Sequence, residues 1–172
     1  AVGANGSVYI IAEIGSNHNQ SLDQALHMIE KAAETGCDAV KFQSIRFDSL
    51  YNPELETREF RKWFEQIELK EEWHAILAEK ATAYGLDFLS APTYERAVDI
   101  LEELNVPAYK IASPQAQANF PVLRRVAETG KPIFMSIGYS DYGEISKALE
   151  VCRAAGNELT IPLHCVSSYP AP

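Results

Sequence analysis

Two lysines stand inside short apolar runs: Lys41 between Val40 and Phe42, and Lys110 between Tyr109 and Ile111. Desolvating an ammonium is expensive, so a lysine in such a place needs a partner. Two of them in an acidic chain can form a pocket for a small dianion or trianion, helped by serine hydroxyls and loop amides. Two other readings stay open. Either lysine can be neutralised by an interior carboxylate such as Glu13, or can form a Schiff base with a carbonyl substrate. Glu13 sits between Ala12 and Ile14 in an apolar run. There it can orient a sugar hydroxyl, move a proton, or simply pair with a lysine.

The histidines give less. His18 falls in an Asn-rich loop, where it can touch a substrate or cap the loop locally. His164 lies in an apolar run and reads as a satisfied buried imidazole, which needs one donor and one acceptor. His27 and His74 fall in helical stretches, and no pair of histidines has a short metal-ligand spacing. Cys37, Cys152 and Cys165 are too few and too scattered for a disulfide framework. Cys152 and Cys165 read as small buried hydrophobes. Trp63 and Trp73 read as core or helix-packing residues rather than a ligand cage.

These residues are carried by a regular alternation of elements. The run Val8–Ile14 predicts a first strand. A turn follows, and Ser21 with Gln24 forms a candidate capping box. Leu22, Ala25, Leu26, Ile29, Ala32 and Ala33 share one helical face, stopped by Gly36. Strands are expected at 39–42, 86–89, 108–112, 132–136 and 160–166. Helices are expected over 54–66, from Trp73 to Tyr84, after Thr93, from Pro121 and after Asp141. Asp141 and Glu144 form a second capping-box pair. Pro162 is awkward for a central strand unless it lies near its start.

Six β-α steps mean an α/β architecture with parallel strands. An open doubly wound sheet and a β/α barrel both satisfy this order. The first turn lacks GxGxxG, and no GxxxxGK[ST] follows any strand, which argues against dinucleotide and P-loop sites. Polar residues gather instead at strand C-terminal ends: Glu13, Lys41, Gln43, Ser90, Lys110, Ser113, Ser136, His164 and Ser167. That is the barrel pattern, in which one rim collects side chains from many strands.

Composition sets the outer limits. The chain has 172 residues, 47% apolar and 23% charged, which is ordinary for one globular domain. Its formal charge of -9 argues against nucleic-acid backbone binding. No apolar stretch is long enough to span a membrane, and no signal peptide is visible at the start, so a cytoplasmic location is expected.

The chain resembles the N-terminal catalytic barrel of the sialic acid synthase family, which makes N-acetylneuraminate and related nonulosonates. The resemblance is carried by Ile11-Ala-Glu-Ile-Gly-Ser-Asn-His-Asn19, Asp38-Ala-Val-Lys-Phe-Gln43, Tyr109-Lys-Ile-Ala-Ser113, Glu128-Thr-Gly-Lys-Pro132 and Leu163-His-Cys-Val-Ser-Ser-Tyr-Pro-Ala-Pro172. These stretches are in order and cover nearly the whole chain. The resemblance implies an aldolase-type TIM (β/α)8 barrel, with residues 1–172 as its N-terminal part and about six β/α units present. It implies condensation of phosphoenolpyruvate with the open-chain aldehyde of an N-acylhexosamine. It implies that Lys41, Lys110, Ser113, Ser136 and Ser167 hold phosphoenolpyruvate. Glu13, Gln43, Gln115 and Tyr169 would face the sugar, with Glu13, Lys110 and Gln115 as the catalytic groups. A divalent metal, Mn2+ or Mg2+, would polarise the aldehyde. The family's metal histidines and its antifreeze-like domain, which reaches across a homodimer, would follow residue 172.

The sequence also departs from the family pattern. Pro114-Gln115 stands where the family has Gly-Glu, Ala91 where it has Thr, and Ile137 where it has Thr. The loop after the second strand is short and lacks the family's Tyr-Gln segment. Gln115 keeps hydrogen bonding but removes an acid-base group. These changes leave room for a catalytically degenerate barrel that binds a sugar or anion, or acts in assembly. A Schiff-base aldolase is the third reading. Six strands do not close an eight-stranded barrel, so the expected barrel is incomplete and exposes strand edges.

Overall fold

The computed structural model of the chain describes residues 6–52, 54, 57–168, 170 and 171. It forms two compact units, Ala1–Ser90 and Ala91–Pro172. The first holds β1 (Ile11–Gly15), α1 (Leu22–Glu34), β2 (Ala39–Ser44), α2 (Phe47–Leu50), α3 (Arg58–Glu65) and α4 (Trp73–Ala83). β3 (Asp87–Pro92) straddles the unit boundary. The second holds α5 (Glu95–Glu103), β4 (Tyr109–Ile111), α6 (Ser113–Ala118), α7 (Phe120–Ala127), β5 (Ile133–Ser136), α8 (Tyr142–Ala154) and β6 (Thr160–Leu163). Strand order is β1-β2-β3 in one sheet and β4-β5-β6 in the other. The β1–β2, β4–β5 and β5–β6 pairs are parallel. Six β/α units with unclosed sheets are those of a partial (β/α) barrel.

In the first unit Ala25 and Ile29 of α1 and Leu77 and Ala81 of α4 are fully buried, as are Val40 and Phe42 of β2. Each large apolar side chain so buried contributes roughly 1.5–3 kcal/mol. β1 begins at Ile11 rather than Val8. Ile10 donates its amide to the Asp38 carboxylate at 2.7 Å, and its carbonyl accepts from the Asp38 and Ala39 amides, so the lead-in is tied to the start of β2 although Val8 is exposed. Ser21 caps α1 by accepting from the Gln24 amide, but the Gln24 side chain donates to the Asn17 carbonyl at 2.6 Å, so the box is half formed. The helix expected over 54–66 is shorter and starts at Arg58, and Leu55 lies outside the described residues. Phe64 joins Ile45 and Phe47 in a small satellite core. Trp63 is a correction: it stands exposed beside the Phe60 and Phe64 rings, while Trp73 is buried as expected.

In the second unit the Asp141–Glu144 capping box is complete. Asn157, buried, donates to the carbonyls of Ala127 and Lys131 and so anchors the turn that leads into β6. β6 stops at Leu163, three residues early. Pro162 lies opposite Met135, and within the described residues β6 pairs only with β5, so its missing N–H breaks no ladder there. His164 therefore falls after the strand and is exposed, not the satisfied buried imidazole expected. No helix among the described residues is long and apolar enough to cross a membrane.

Candidate active site

Each unit gathers polar groups at the C-terminal ends of its strands. In the first, Glu13 of β1 and Lys41 of β2 lie in register across the parallel pair. Their carboxylate and ammonium form an ion pair, with the Lys41 side chain 10% exposed and that of Glu13 53% exposed. The structure pairs Lys41 with Glu13, but that carboxylate is more than half exposed and not interior. Gly15 takes φ +59°, and a Cβ there would press on the Glu13 carboxylate at 3.2 Å. On β2, Gln43 accepts from the Ser16 hydroxyl at 3.3 Å.

His18 makes the local cap, while its buried Nε2 has no hydrogen-bond partner among the described residues. Its Nδ1 accepts from the Gln20 amide at 3.3 Å, and the ring is wholly buried against Trp73. Burial pushes its pKa down. Asn19 and Gln20 both have positive φ, so the cap holds a turn that few residues adopt.

The second unit brings four of the expected anion ligands into one neighbourhood. Lys110 of β4 donates to the Ser136 hydroxyl of β5 at 2.5 Å and to the Ile111 carbonyl at 2.8 Å. Ser113, the first residue of α6, accepts from the Gly138 amide at 3.1 Å. A Cβ on Gly138 would lie 2.6 Å from Ser167 Oγ, 2.7 Å from Cys165 Sγ and 2.8 Å from the Cys165 carbonyl. The segment after β6 thus packs on bare backbone, and only glycine permits that approach. Because Ser113 receives the Gly138 N–H, its own O–H remains available to donate.

Cys165 is a further correction. It is half-buried, and its sulfur lies 3.5 Å from Ser113 Oγ. The hydrogen bond with Ser113 holds its thiol below the usual cysteine range, while burial pushes Cys152 up. Apolar neighbours in sequence gave no warning of this, because the strand ends before Cys165 and its side chain turns to the serine cluster. Gln115, on α6, is buried. Tyr169 lies outside the described residues.

The sequence reading missed a third group. His74, Ser44 and Ser90 are buried, and Ser44 lies 2.7 Å from both His74 Nε2 and Ser90 Oγ. Residues so far apart in sequence left no local motif. Among the described residues no group of three or more His, Cys, Asp or Glu side chains is placed to hold a metal. No step is routed through the divalent ion that the resemblance implies.

The NeuB family matches residues 28–172. N,N'-diacetyllegionaminic acid synthase of Legionella pneumophila is 35% identical over 98% of this chain and 51% of its own length. The crystal structure of an N-acetylneuraminic acid synthetase from Leptospira borgpetersenii superposes with a TM-score of 0.88 at 31% identity, over 98% of this chain and 57% of that one. The spore coat polysaccharide biosynthesis protein SpsE of Bacillus subtilis superposes with a TM-score of 0.82 at 36% identity, over 99% of this chain and 47% of that one. The chain spans about half the length of the relatives it matches. With a family match running through both units and solved relatives superposing on nearly every residue, the chain belongs to the NeuB, or sialic acid (nonulosonate) synthase, family and corresponds to part of its N-terminal catalytic domain.

Proposed function

We propose that the complete protein carrying this chain condenses phosphoenolpyruvate with the open-chain aldehyde of an N-acylated amino sugar to give a nonulosonate. C3 of phosphoenolpyruvate forms a C–C bond to the aldehyde carbon, whose oxygen takes up a proton. Water adds at C2, and the C2–O bond to phosphate breaks, releasing inorganic phosphate. The observation that carries the reading is the Lys110–Ser136 contact beside Ser113 and Gly138, in a chain of this family. An ammonium with an adjacent hydroxyl donor suits a small polyanion. The Leptospira relative was crystallised with citrate, a small polycarboxylate.

Roles follow residue by residue. Lys110, Ser113, Ser136 and Ser167 bind the acidic groups of phosphoenolpyruvate, and Lys41 contributes a further ammonium. Glu13, Gln43, Gln115 and Tyr169 contact the sugar. Glu13, Lys110 and Gln115 act on the reacting groups. Mn2+ or Mg2+, a homodimer and a role in polysaccharide biosynthesis belong to the same family-level reading.

A sugar- or anion-binding barrel without turnover is the second reading. Buried Gln115 favours it, because an amide cannot take a proton as the family's carboxylate can. The test is phosphate release by the full-length protein with phosphoenolpyruvate, a panel of N-acylhexosamines and a divalent ion. Release that requires both substrates is expected. A folded protein that binds phosphoenolpyruvate but never turns over supports the second reading. One that does not bind it removes the first. Borohydride trapping of substrate carbon on Lys41 or Lys110 would point to Schiff-base chemistry instead.

A further inference from the structure

The geometry points to His74 as a positioning residue that fixes the end of β2, and with it Lys41, for phosphoenolpyruvate binding. The inference rests on the reading that Lys41 contacts that substrate. His74 lies in the first turn of α4, with its Nδ1 at 3.1 Å from the carbonyl oxygens of both Lys70 and Glu71. A carbonyl only accepts, so Nδ1 carries the ring proton. Burial disfavours the imidazolium, so the ring is neutral and Nε2 presents a lone pair. Ser44, at 2.7 Å, therefore donates to Nε2. Its single proton is spent there, so Ser90, also at 2.7 Å, donates to Ser44. The bonds run in one direction, from Ser90 to Ser44 to His74 to the turn before α4.

Side chains alternate along a strand. Phe42 and Ser44 of β2 lie on the face that meets Phe88 and His74. Lys41 and Gln43 lie on the other face, toward Glu13 and Ser16. The directional chain thus ties the strand that carries Lys41 and Gln43 to its neighbour β3 and to α4. Stability alone does not call for it, because an apolar trio of similar shape is nearly neutral by comparison. Apolar packing is non-directional, whereas satisfied buried polar bonds hold one arrangement.

The test uses the complete protein. Two-bond 1H–15N NMR of the His74 ring at pH 7.5 should show the Nδ1–H tautomer, and the Nε2–H tautomer or an imidazolium would overturn the direction. Phosphoenolpyruvate is then titrated into wild type, His74→Gln, His74→Leu and Ser90→Ala, each checked for fold by circular dichroism. Glutamine places an oxygen acceptor near the Nε2 position, so its affinity should stay within about threefold, while His74→Leu should lose about tenfold, the worth of one buried hydrogen bond. Ser90→Ala should fall in the same direction, and it decides alone if His74→Leu does not fold. Unchanged affinity in the folded variants would overturn the positioning role while leaving wild-type binding intact. Wild type that binds no phosphoenolpyruvate would sink the proposed function and this role together, and the tautomer would still show whether the relay exists.

Discussion

The Lys110 ammonium donates to the Ser136 hydroxyl at 2.5 Å, joining the neighbouring strands β4 and β5 at their C-terminal ends. A compact point charge is held there by a short, directed contact. Lys110→Met should therefore lower phosphoenolpyruvate-dependent phosphate release on the order of a hundredfold, the usual cost of removing one preorganised donor. Lys110→Arg should recover little, because a planar fork does not fit a contact built for an ammonium. Steady-state rates of the full-length variants check both, and wild-type rates in Lys110→Met would remove Lys110 from the mechanism.

Gly138 offers a test of packing. Its φ is not in the left-handed region, so the constraint is space: a Cβ meets the Cys165 carbonyl at 2.8 Å, and that is backbone. Gly138→Ala should destabilise by about 1–3 kcal/mol, as overpacking does, and should displace Ser167 from the cluster. The urea midpoint and phosphoenolpyruvate affinity should fall together. A loss of stability with intact affinity would mean that the segment after β6 does not serve the site.

Much of this was legible in sequence because strands announce themselves. Lys41 and Lys110 stood out against their apolar neighbours, and the short runs around them are β2 and β4. The complete capping box at Asp141 was equally local. What escaped depends on partners distant in the chain. α6 reads Ser-Pro-Gln-Ala-Gln-Ala, with no apolar period, yet Ser113, Gln115 and Ala116 are buried. Hydropathy assigns polar residues outward, and a site reverses that assignment. Cys165 and His164 were misjudged for a related reason, since burial was inferred from apolar neighbours while the strand ended at Leu163.

Cys165 should be the most reactive of the described thiols at neutral pH. Its hydrogen bond with Ser113 favours the thiolate, whereas burial raises Cys152. Iodoacetamide should modify Cys165 before Cys152, as read by peptide mass spectrometry. Inorganic phosphate or phosphoenolpyruvate should slow the reaction by engaging Ser113. Ser113→Ala should raise the thiol pKa and slow alkylation without ligand. Equal rates with and without phosphate would mean that no anion reaches Ser113.

Glu13 separates pairing from chemistry. Lys41 is nearly enclosed and faces its carboxylate, so Glu13→Ala leaves a buried ammonium without that partner. Breaking such a pair from one side costs about 3–5 kcal/mol in fully buried cases, and the exposure of Glu13 reduces the figure here. Glu13→Gln keeps a hydrogen-bond acceptor and should cost less stability. If Glu13 also acts on the sugar, Glu13→Gln lowers the turnover rate while phosphoenolpyruvate affinity stays near wild type. A parallel fall in stability and affinity, with turnover of the bound complex unchanged, would leave it as a partner for Lys41 alone.

The two buried histidines set the acid side of the stability profile. Burial pushes the pKa of both His18 and His74 below the ordinary imidazole value of 6.5, so the folded protein keeps both rings neutral. In the unfolded chain they take up protons near pH 6.5. Above that pH neither state binds these protons, and the histidines contribute no pH dependence. As pH falls below it, the unfolded state binds more protons than the native state, and stability is lost until each folded pKa is reached. The slope is about 1.4 kcal/mol per pH unit for each ring that stays neutral in the fold. For His74, protonation would also force Nε2 to donate to Ser44 and reverse the hydrogen-bond chain. Urea unfolding between pH 7.5 and 5.5, above the range where carboxylates dominate, should show the loss. His74→Gln should flatten part of it. A wild-type midpoint that does not change across that window would mean that both rings take up protons in the native state as readily as in the unfolded chain.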